Sequence, residues 1–317
     1  MTSRSLKQVL VTGGAGFIGS TIARLACQEI GARVVVLDDL SSGHRSNLDG
    51  LSVTFVEGDV CDPAAVRHAI GGCDTVFHLA ASVGNTRSIE NPIRDAEVNV
   101  LGTLRILEGA RQAGAGKVVY SSSAGIFGEL TTLPIREDHP IDPDTPYGAS
   151  KLAGEKLCLA YAKLYPIEAV CLRYFNVYGV NQRYDAYGNV IPIFAHRILS
   201  GEPITIYGDG EQTRDFVNVR DVAWANLRAA MSPRLSGAFN IGSGTRITIN
   251  RLVSLMIGES GVHTPIEYGA PRKGDVRDSL ADISAAQAAF GHQPSVRLED
   301  GLREYMDWAR GAPVAAR

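Results

Sequence analysis

A glycine-rich loop between a strand pattern and a helix pattern constrains the fold of this chain more than any other feature. The loop reads Thr-Gly-Gly-Ala-Gly-Phe-Ile-Gly over residues 12–19, after a β-rich run at 9–12 and before helical periodicity at 18–29. Glycine is needed where a chain turns sharply, where its backbone approaches a phosphate, and where a helix packs on a strand. The helix N-terminus also presents unpaired N–H groups and a partial positive charge. This context predicts a dinucleotide-binding loop, whose candidate contacts are Gly13, Gly16, Phe17, Ile18 and Gly19.

Strand and helix patterns alternate through the first half of the chain. Residues 33–38 form a nearly continuous run of β-branched residues, which indicates a strand buried on both faces. The alternation predicts an α/β fold of the Rossmann type, a doubly wound parallel sheet with right-handed crossovers. The other predicted strands span 53–57, 75–79, 117–121 and 167–174, and the predicted helices span 63–70 (with Asp62 as N-cap), 95–113 and 146–164.

The pattern changes beyond Tyr174, where Gly, Pro and Asn become frequent at 176–189 and around 208–210. Long loops mixed with short helices predict a smaller α/β substrate-binding region. We expect it to close over the carboxyl ends of the sheet strands, where open α/β sheets bind ligands. The expected division is a cofactor-binding domain at 1–175 with a returning segment at about 213–242, a substrate-binding region at 176–212 and 243–312, and a disordered tail at 313–317.

Composition limits the classes of function. Of the 317 residues, 45% are hydrophobic, and the net charge is −3 without a strongly basic stretch, so nucleic-acid binding is not expected. No signal peptide or membrane-spanning run is recognisable, which predicts a cytoplasmic protein without membrane association. His and Cys do not cluster as ligands, so no metal is expected. The cysteines lack CxxC spacing, which predicts buried, reduced thiols at Cys27, Cys61, Cys73, Cys158 and Cys171.

Asp38 supplies an acidic residue about 20 positions after the loop, at the end of the second predicted strand. A carboxylate there can accept hydrogen bonds from the adenosine ribose and would repel a 2′-phosphate, so we expect NAD rather than NADP. His44 and Arg45 lie nearby in the sequence and could soften this preference. The same loop adds Asp39, Ser42 and Gly43 as candidate cofactor contacts.

Two other segments past strand ends are candidate cofactor contacts. Asp59 could accept a hydrogen bond from the adenine amino group, with Val60 beside it. Leu79, Ala80 and Ala81 follow the fourth predicted strand. From the residues alone, ordinary loop roles explain both segments equally well.

Tyr147 and Lys151 are four residues apart in a predicted helix and therefore share one face. A phenol has an unperturbed pKa of about 10, and a nearby ammonium lowers that pKa. Tyr147 could then exchange a proton with a substrate hydroxyl, while Lys151 could hold the nicotinamide ribose. Alone, such a pair is usually a surface pair; together with the glycine loop, it predicts a proton-transfer site.

Three serines, Ser121, Ser122 and Ser123, follow one another at the end of the strand predicted at 117–121. A hydroxyl here could bridge the substrate oxygen and Tyr147. We favour Ser123 for this role, with Ser122 as the alternative, and expect Ser121 at the cofactor. A polar strand end that caps the next turn is the structural alternative.

Together these residues resemble the extended short-chain dehydrogenase/reductase family, and within it the nucleotide-sugar epimerase and dehydratase branch. The resemblance covers nearly the whole chain. It implies a tightly bound NAD, a UDP-sugar substrate and a homodimer formed through the helices at 95–113 and 146–164, and it adds Asn99 and Tyr174 to the cofactor contacts. Its most specific motifs are the glycine loop, Asp38, His78-Leu79-Ala80-Ala81, Asn99, the three serines, Tyr147-x-x-x-Lys151, Arg173-Tyr174-Phe175-Asn176-Val177-Tyr178-Gly179, Gly208-Asp209-Gly210, Gln212-Thr213-Arg214-Asp215-Phe216 and Gly274-Asp275-Val276-Arg277.

The resemblance also implies the substrate contacts. Arg214 and Arg277 would neutralise the diphosphate, because an arginine fork suits phosphate oxygens; exposed loop arginines are the alternative. Tyr207 would lie against the nucleobase. The other expected contacts are Asn176 and the Asn189-Val190 backbone at the diphosphate, and Val83, Arg87, Ser123, Arg183, Asp278 and Ser279 elsewhere on the substrate.

The residues after Ser123 narrow the reaction. Dehydratases of this family carry an Asp-Glu pair there and decarboxylases a nearby Glu, whereas this chain has no acid before Glu129. The resemblance therefore implies a 4-epimerase cycle. Tyr147 would remove the C4 hydroxyl proton while hydride passes to NAD, the 4-keto sugar would rotate, and hydride would return to the opposite face.

Three positions concern the identity of the sugar. Ser279 matches a position at which bulky residues exclude N-acetyl groups. Gln182-Arg183-Tyr184-Asp185 resembles the loop of UDP-glucuronate 4-epimerases, whose arginine binds the sugar carboxylate; a solvent-facing Arg183 is the alternative. Val83 stands where UDP-galactose 4-epimerases have lysine. We therefore rank UDP-glucuronate slightly above UDP-N-acetylglucosamine and UDP-glucose.

Two other functions remain open from the sequence. A nucleotide-sugar 4-reductase or dehydrogenase would show net turnover of NAD(P)H. A non-catalytic NAD-binding sensor would be indifferent to a Tyr147→Phe change, and such proteins tend to lose the Tyr/Lys pair, which this chain retains.

Overall fold

A seven-stranded parallel sheet forms the centre of the computed structural model, which describes residues 4–184, 189–271 and 276–311. The strands are β1 Gln8–Thr12, β2 Arg33–Asp38, β3 Val53–Glu57, β4 Thr75–His78, β5 Lys117–Ser123, β6 Glu168–Tyr174, β7 Asn176–Tyr178, β8 Ile204–Tyr207, β9 Thr213–Arg214, β10 Phe216–Asn218, β11 Gly237–Ile241, β12 Ile247–Thr248 and β13 Ile266–Gly269. The helices are α1 Phe17–Gln28, α2 Pro63–Ile70, α3 Asn85–Glu90, α4 Pro92–Ala96, α5 Thr103–Ala113, α6 Pro146–Leu164, α7 Val190–Ser200, α8 Val219–Met231, α9 Ile249–Ser260, α10 Ser284–Phe290 and α11 Leu298–Gly311.

The order of the strands across the large sheet is β11-β6-β5-β4-β1-β2-β3. From β1 the chain proceeds to one edge through β2 and β3, and it then returns to the other side of β1 as β4. Open α/β sheets bind ligands at such a reversal. Thr12 and His78 are register partners at the carboxyl ends of β1 and β4, so the glycine loop starts beside the end of β4. The predicted Rossmann-type, doubly wound parallel sheet is confirmed.

Helices cover both faces of the sheet. Val9 and Val11 of β1 pack with α1 and α8 on one face. Leu10 of β1 and Leu37 of β2 pack with α2 and α5 on the other. Because consecutive side chains point to opposite faces, a strand between two helical layers must be apolar throughout. This two-sided burial explains the β-branched run of β2.

A separate core lies among α7, α9, α11 and β8, and β8 pairs in parallel with β13. The three helices contain 11, 12 and 14 residues, so the expectation of short helices in this part of the chain was wrong. Gly201 and Gly261 terminate α7 and α9 in the left-handed region.

Residues 213–242 contribute both to the sheet and to its cover. β11 pairs with β6 and forms one edge of the sheet, and α8 packs against α1. The predicted division into a cofactor-binding domain and a substrate-binding region remains a prediction. The predicted tail at 313–317 lies outside the described residues.

The segment predicted as one helix at 95–113 is interrupted. It consists of the end of α4, a π-helical turn at Glu97–Gly102 and then α5. At Gly102 an added Cβ would lie 2.9 Å from Val60 Cγ2, so the turn packs closely on the loop after β3. The wider turn also accommodates Asn99, which is 1% exposed. Turns of this type occur frequently at functional sites.

All five cysteines are free thiols, of which Cys73, Cys158 and Cys171 are buried, and Cys27 and Cys61 are half-buried. The expected burial therefore holds for three of them. In the described ranges, His, Cys, Asp and Glu form no group of three or more that could hold a metal ion. Within the same ranges, no helix combines the length and apolar character needed to cross a membrane.

Candidate active site

The glycine loop combines close backbone contacts with an open helix N-terminus. Gly13 has φ +66°, and a Cβ there would lie 2.8 Å from the backbone nitrogen of Ala80. A Cβ on Gly19 would lie 2.2 Å from the carbonyl oxygen of Gly13. Gly16 caps α1 without a side-chain hydrogen bond, so the first N–H groups of α1, at Phe17 and Ile18, have no side-chain cap. This arrangement fits a dinucleotide pyrophosphate.

Asp38 is 7% exposed and holds the glycine loop against the end of β2. Its Oδ2 accepts from Ala15 N at 2.8 Å, and its Oδ1 accepts from Leu40 N at 2.9 Å. Burial raises the pKa of this carboxyl, and the two backbone hydrogen bonds oppose the shift. Each oxygen has a second lone pair, so the carboxylate can still accept from a ribose hydroxyl.

The loop after β2 contains the other three candidates. Gly43 touches the glycine loop, because a Cβ there would lie 2.7 Å from the carbonyl carbon of Ala15. Asp39 accepts from the backbone and hydroxyl of Ser41 and therefore serves the turn itself. Ser42 is exposed. His44 donates its backbone N–H to Ala15 O at 3.0 Å, which ties the whole loop to the phosphate-binding turn.

Asp59 has a partner that the sequence did not reveal. Its Oδ2 lies 2.7 Å from Arg94 Nη2, and its Oδ1 accepts from Cys61 N at 2.7 Å. Burial raises the pKa of Asp59, but the hydrogen bonds and the charge of Arg94 outweigh it and leave the pKa lowered. Arg94 lies on α4 outside any motif, so only the tertiary structure could identify it. Val60 is buried beside Asp59.

His78 fixes the end of β4 next to the glycine loop. Its Nδ1 lies 2.7 Å from Thr12 Oγ1, and its Nε2 lies 2.9 Å from Thr103 Oγ1. Burial lowers the pKa of His78 to about 3, so the ring is neutral. Thr12 Oγ1 also accepts from Leu79 N and Ala80 N, each at 3.2 Å. These bonds direct the segment 79–81 toward the glycine loop.

Asn99 and Tyr174, which the resemblance assigned to the cofactor, make protein contacts. Asn99 accepts from Ser82 N at 2.9 Å and donates to Ser82 O at 3.0 Å, which holds the segment after Ala81. The Tyr174 hydroxyl donates to Asn226 Oδ1 at 3.0 Å. Burial raises the pKa of Tyr174 far above its usual value. A direct contact of either side chain with NAD remains a prediction.

Tyr147 lies in the first turn of α6, which Thr145 caps by accepting from Gly148 N at 3.1 Å. Burial raises the pKa of Tyr147 to about 12, opposed by a hydrogen bond with Ser123. Burial lowers the pKa of Lys151 to about 8. The expectation that Lys151 holds the pKa of Tyr147 down is therefore wrong, because the loss of solvation at the phenol dominates.

Ser122 and Ser123 point to different partners. Ser122 is 2% exposed and donates to Glu155 Oε2 at 2.7 Å. Ser123 is half-buried, lies beside Tyr147 and opposes the rise of its pKa, and accepts from Gly125 N at 3.1 Å. This geometry favours Ser123 over Ser122 as the hydroxyl at the reacting atoms.

Glu155 and Arg173 form a buried ion pair behind these serines. Arg173 Nη2 lies 2.8 Å from Glu155 Oε1, and Arg173 Nε lies 3.1 Å from Glu155 Oε2. The two side chains are 4% and 0% exposed. In the sequence Arg173 is recognisable only as part of a motif, and no spacing indicates that Glu155 contacts it and fixes Ser122.

Several predicted substrate residues lie around β7, β9 and the start of α7. Asn176 opens β7 and donates to Asp215 O at 3.2 Å. Asn189 caps α7 without a side-chain hydrogen bond, and Val190 is the first residue of that helix. Arg214 donates to Thr213 O at 2.8 Å and to Arg277 O at 3.4 Å. Arg214 therefore connects the strand β9 to the segment around Arg277.

Both terminal nitrogens of the Arg277 guanidinium already contact a carboxylate of the protein. Its Nη1 and Nη2 lie 2.7 Å and 3.0 Å from the two oxygens of Asp209. This pair lies at a cavity of about 450 Å³ that is also lined by Tyr207 and Gln212. Tyr207 is 39% exposed. Asp278 accepts from Thr213 Oγ1 at 2.5 Å, and Ser279 is 7% exposed and donates its N–H to Thr213 O.

The remaining predicted substrate residues lie on loops. Arg183 Nη1 lies 3.2 Å from His44 Nε2, which turns its guanidinium toward the loop after β2. Val83 is 56% exposed, and its carbonyl accepts from Arg87 Nη1 at 3.3 Å. Asp185 of the Arg183 motif, and Gly274 and Asp275 of the Arg277 motif, lie outside the described residues.

The sequence matches a known protein family and individual members of it. The profile of the NAD dependent epimerase/dehydratase family matches residues 9–242. A putative UDP-glucose 4-epimerase of Methanocaldococcus jannaschii is 39% identical over 304 residues, which are 95% of this chain and 98% of that protein.

Solved structures extend the likeness to the whole fold. A UDP-glucose 4-epimerase of Thermotoga maritima, solved with UDP-glucose, has a TM-score of 0.91 and 38% identity, covering 96% of this chain and 99% of that one. A UDP-N-acetylglucosamine 4-epimerase of Methanobrevibacter ruminantium, solved with UDP-N-acetylmuramic acid, has a TM-score of 0.91 and 35% identity, covering 96% and 98%. A protein named MoeE5, solved with UDP-glucuronic acid and NAD, has a TM-score of 0.86 and 36% identity, covering 96% and 99%.

Proposed function

The chain belongs to the NAD-dependent epimerase/dehydratase family, and from that membership we propose that it is a UDP-hexose 4-epimerase that keeps its NAD between turnovers. The observation that carries the proposal is the placement of Ser123 beside Tyr147, both within 4.0 Å of the position that a Cβ on Gly125 would take, with no acid at residues 124–128. Two adjacent hydroxyls suit proton exchange at a single sugar hydroxyl. Dehydration and decarboxylation in this family use an acid that this segment lacks.

Ser123, Tyr147 and Lys151 would have different roles in the reaction at C4. Ser123 would hold the C4 oxygen, and Tyr147 would remove its proton and later return it. NAD, when bound, would accept the C4 hydrogen with its electrons and give them back. Lys151, whose ammonium donates to Ser121 at 3.4 Å, would hold the nicotinamide ribose. Because the proton and the C4 hydrogen are both returned to the sugar, no net oxidation would result.

A loop that crosses the phosphate-binding helix supports retention of the cofactor. Asn181 Nδ2 donates to Ser20 Oγ of α1 at 3.3 Å. Arg183, on the same loop, contacts His44, whose backbone is bonded to Ala15. We infer that these contacts hold the loop over the cofactor phosphates and slow their dissociation.

Two adjacent cavities support a nucleoside diphosphate. The first, of about 250 Å³, is lined by Arg214, Arg246, Arg251 and Arg297, although the whole chain has a net charge of −3. Concentrated positive charge of this kind attracts phosphate oxygens. The second is the Tyr207 cavity, which offers an aromatic face for the base.

Arg183 and Ser279 bear on the sugar. In the described part of the chain, no carboxylate forms a salt bridge with Arg183, so a sugar carboxylate would give its guanidinium an anionic partner. Ser279 is small and would leave space at C2. On these grounds UDP-glucuronate is the first substrate to test, followed by UDP-N-acetylglucosamine and UDP-glucose, the sugars in the names of the most similar proteins.

Exposed apolar side chains support a homodimer. Ile89 on α3, Ile93 on α4 and Leu101 on the π-helical turn are 61%, 71% and 48% exposed, and Leu164 at the end of α6 is 72% exposed. A second copy packed on α4, α5 and α6 would cover them. Sedimentation should give twice the mass of one chain, and a monomer at micromolar concentration would exclude this arrangement.

The function is tested by incubating the purified protein, without added NAD, with each of the three UDP-sugars in turn. Nuclear magnetic resonance of the anomeric protons should show the galacto-configured product of one or more of them. If all three sugars remain unchanged after NAD is supplied, the UDP-hexose 4-epimerase function is excluded.

A further inference from the structure

Asp95 is a buried carboxylate near the proton-transfer pair that the proposed mechanism does not use. It lies on α4, which packs against α6, and it is 1% exposed. Its Oδ1 accepts from Asn99 Nδ2 at 3.0 Å, whereas its Oδ2 has no hydrogen-bond partner among the described residues. Burial of a carboxylate is unfavourable unless hydrogen bonds or an opposite charge compensate it.

A chain of hydrogen bonds joins Asp95 to the catalytic turn of α6. Asn99 Nδ2 lies 3.0 Å from each of Asp95 Oδ1, Ser150 Oγ and Ser82 O, and its two N–H hydrogens are shared among these three acceptors. Ser150 Oγ in turn donates to the carbonyl oxygen of Tyr147 at 3.0 Å. Ser150 directly precedes Lys151, so the chain ends on the turn that carries both members of the proton-transfer pair.

The other groups that face Lys151 do not balance its charge. His78 on β4 is neutral, and Tyr120 on β5 presents its ring to the ammonium. Cys171 on β6 and Cys158 on α6 are buried thiols, and burial raises the pKa of Cys171. Glu155, also on α6, is engaged by Arg173. In the described ranges this leaves Asp95 as the carboxylate whose charge acts on Lys151.

We propose that Asp95 is a positioning residue of the proton-transfer site, whose carboxylate balances the Lys151 ammonium and, through Asn99 and Ser150, fixes the first turns of α6. This role rests on the proposed 4-epimerase function. Burial raises the pKa of the Asp95 carboxyl, and hydrogen bonds with Ser150 and Asn99 together with the charge of Lys151 oppose that shift. The proposed role also accounts for the π-helical turn, because that turn places Asn99 between Asp95 and Ser150.

Removal of the Asp95 charge should shift the pKa values of Tyr147 and Lys151 in the same direction. A nearby negative charge favours the ammonium of Lys151 and disfavours the phenolate of Tyr147, so it raises both pKa values. Without it, both values fall. The acid and alkaline limbs of the pH profile of kcat should therefore both move toward lower pH, by roughly half a unit to one unit.

The test compares holoenzyme variants across pH. Asp95→Asn keeps the shape of the side chain, and Asp95→Ser offers a smaller polar group with room for water, so at least one folded variant is expected. Glu90→Gln removes an exposed carboxylate from neighbouring α3 and serves as the control. Both Asp95 variants should shift the limbs, and the control should not. Reduced turnover with unmoved limbs would overturn the proposal and reduce Asp95 to a structural residue.

A second variant separates the charge from the hydrogen bonds. Ser150→Ala removes the bond to the Tyr147 carbonyl and keeps the Asp95 carboxyl, although it also removes a hydrogen bond that holds the pKa of Asp95 down, so it should lower kcat and move the limbs less than Asp95→Asn does. A shift equal to that of Asp95→Asn would contradict the assigned role of the carboxylate. If the unmodified enzyme turns over none of the UDP-sugars, the proposed function fails; if it turns over and the limbs do not move, only the role of Asp95 fails.

Discussion

The ammonium of Lys151 lies 4.5 Å from the centroid of the Tyr120 ring and donates to Ser121 at 3.4 Å. Tyr147, one helical turn earlier, lies beside Ser123, which opposes the rise of its pKa. The two members of the motif therefore contact different residues. Lys151 contacts the end of β5, where we propose that the nicotinamide ribose lies, and Tyr147 lies beside Ser123, where we propose that the substrate binds. The positive charge of a bound nicotinamide would then lower the pKa of Tyr147 from about 12.

Tyr147→Phe removes the proton-transfer group and leaves the ring in place. We expect kcat to fall by roughly 10²–10⁴-fold, the usual contribution of a general acid–base group. The amount of NAD that copurifies should not change. Turnover can be followed by product formation and NAD by absorbance after denaturation. Full activity of the variant would support a binding protein rather than an enzyme that uses this hydroxyl.

Ser123→Ala and Ser122→Ala form a matched pair. Ser123 lies beside Tyr147 and opposes the rise of its pKa, so its loss should lower kcat by about 100-fold. Ser122 bonds only with Glu155 in the described structure, so its loss should leave kcat nearly unchanged and lower the free energy of unfolding by about 1–3 kcal/mol. If Ser122→Ala lowers kcat and Ser123→Ala does not, the catalytic role belongs to Ser122.

Asp38→Asn tests the choice of cofactor. The variant loses the charge that would repel a 2′-phosphate, so the ratio of the NADP and NAD dissociation constants should fall by about tenfold, equivalent to about 1.4 kcal/mol. Asp39→Asn is the control, because Asp39 bonds to Ser41 of its own turn. Fluorescence titration of the apoenzyme measures both constants. An unchanged ratio in Asp38→Asn would assign the discrimination to another residue.

Glu155→Gln breaks the buried pair behind the serines. Loss of one partner leaves the Arg173 charge buried, so the free energy of unfolding should fall by about 3–5 kcal/mol. Glu259→Gln, which weakens the exposed pair with Arg303, should cost less than about 1 kcal/mol. Denaturant unfolding measures both. Equal costs for the two variants would show that the buried pair contributes no special stability.

Arg183→Ala tests the preference for a sugar carboxylate. Loss of a charge-assisted hydrogen bond should lower kcat/KM for UDP-glucuronate by at least about tenfold and leave UDP-glucose unaffected. Arg136→Ala, at an arginine that is 66% exposed, is the control. Unchanged turnover of UDP-glucuronate in Arg183→Ala would remove the carboxylate role.

The sequence predicted the parts of the fold that follow from local pattern. β2, β3, α2 and α6 have the predicted boundaries. The β-branched run of β2, Asp62 at the N-cap of α2 and Pro146 at the start of α6 are local signals. The π-helical turn was not predicted, since Asn99 turns inward only because Ser82 and Ser150 are there to bond it. Helix propensity alone cannot report such a tertiary requirement.

The candidate site likewise contains residues that local motifs predicted and residue pairs that they did not. The glycine loop, Asp38 and the Tyr147 turn were predicted because each combines a motif with a strand or helix boundary. Arg94 at Asp59, Glu155 at Ser122 and Asp209 at Arg277 were missed, because these pairs join distant elements and no spacing encodes them. The buried Asp95 was missed for the same reason.

The most direct test of the account is epimerisation in D₂O without added NAD, followed by nuclear magnetic resonance of the sugar. The account predicts the C4 epimer with protium retained at C4, because the hydrogen that leaves C4 returns to it without exchange with solvent. Absence of the epimer, or deuterium at C4 of the product, would contradict the central claim that this chain inverts C4 by removing and returning the same hydrogen.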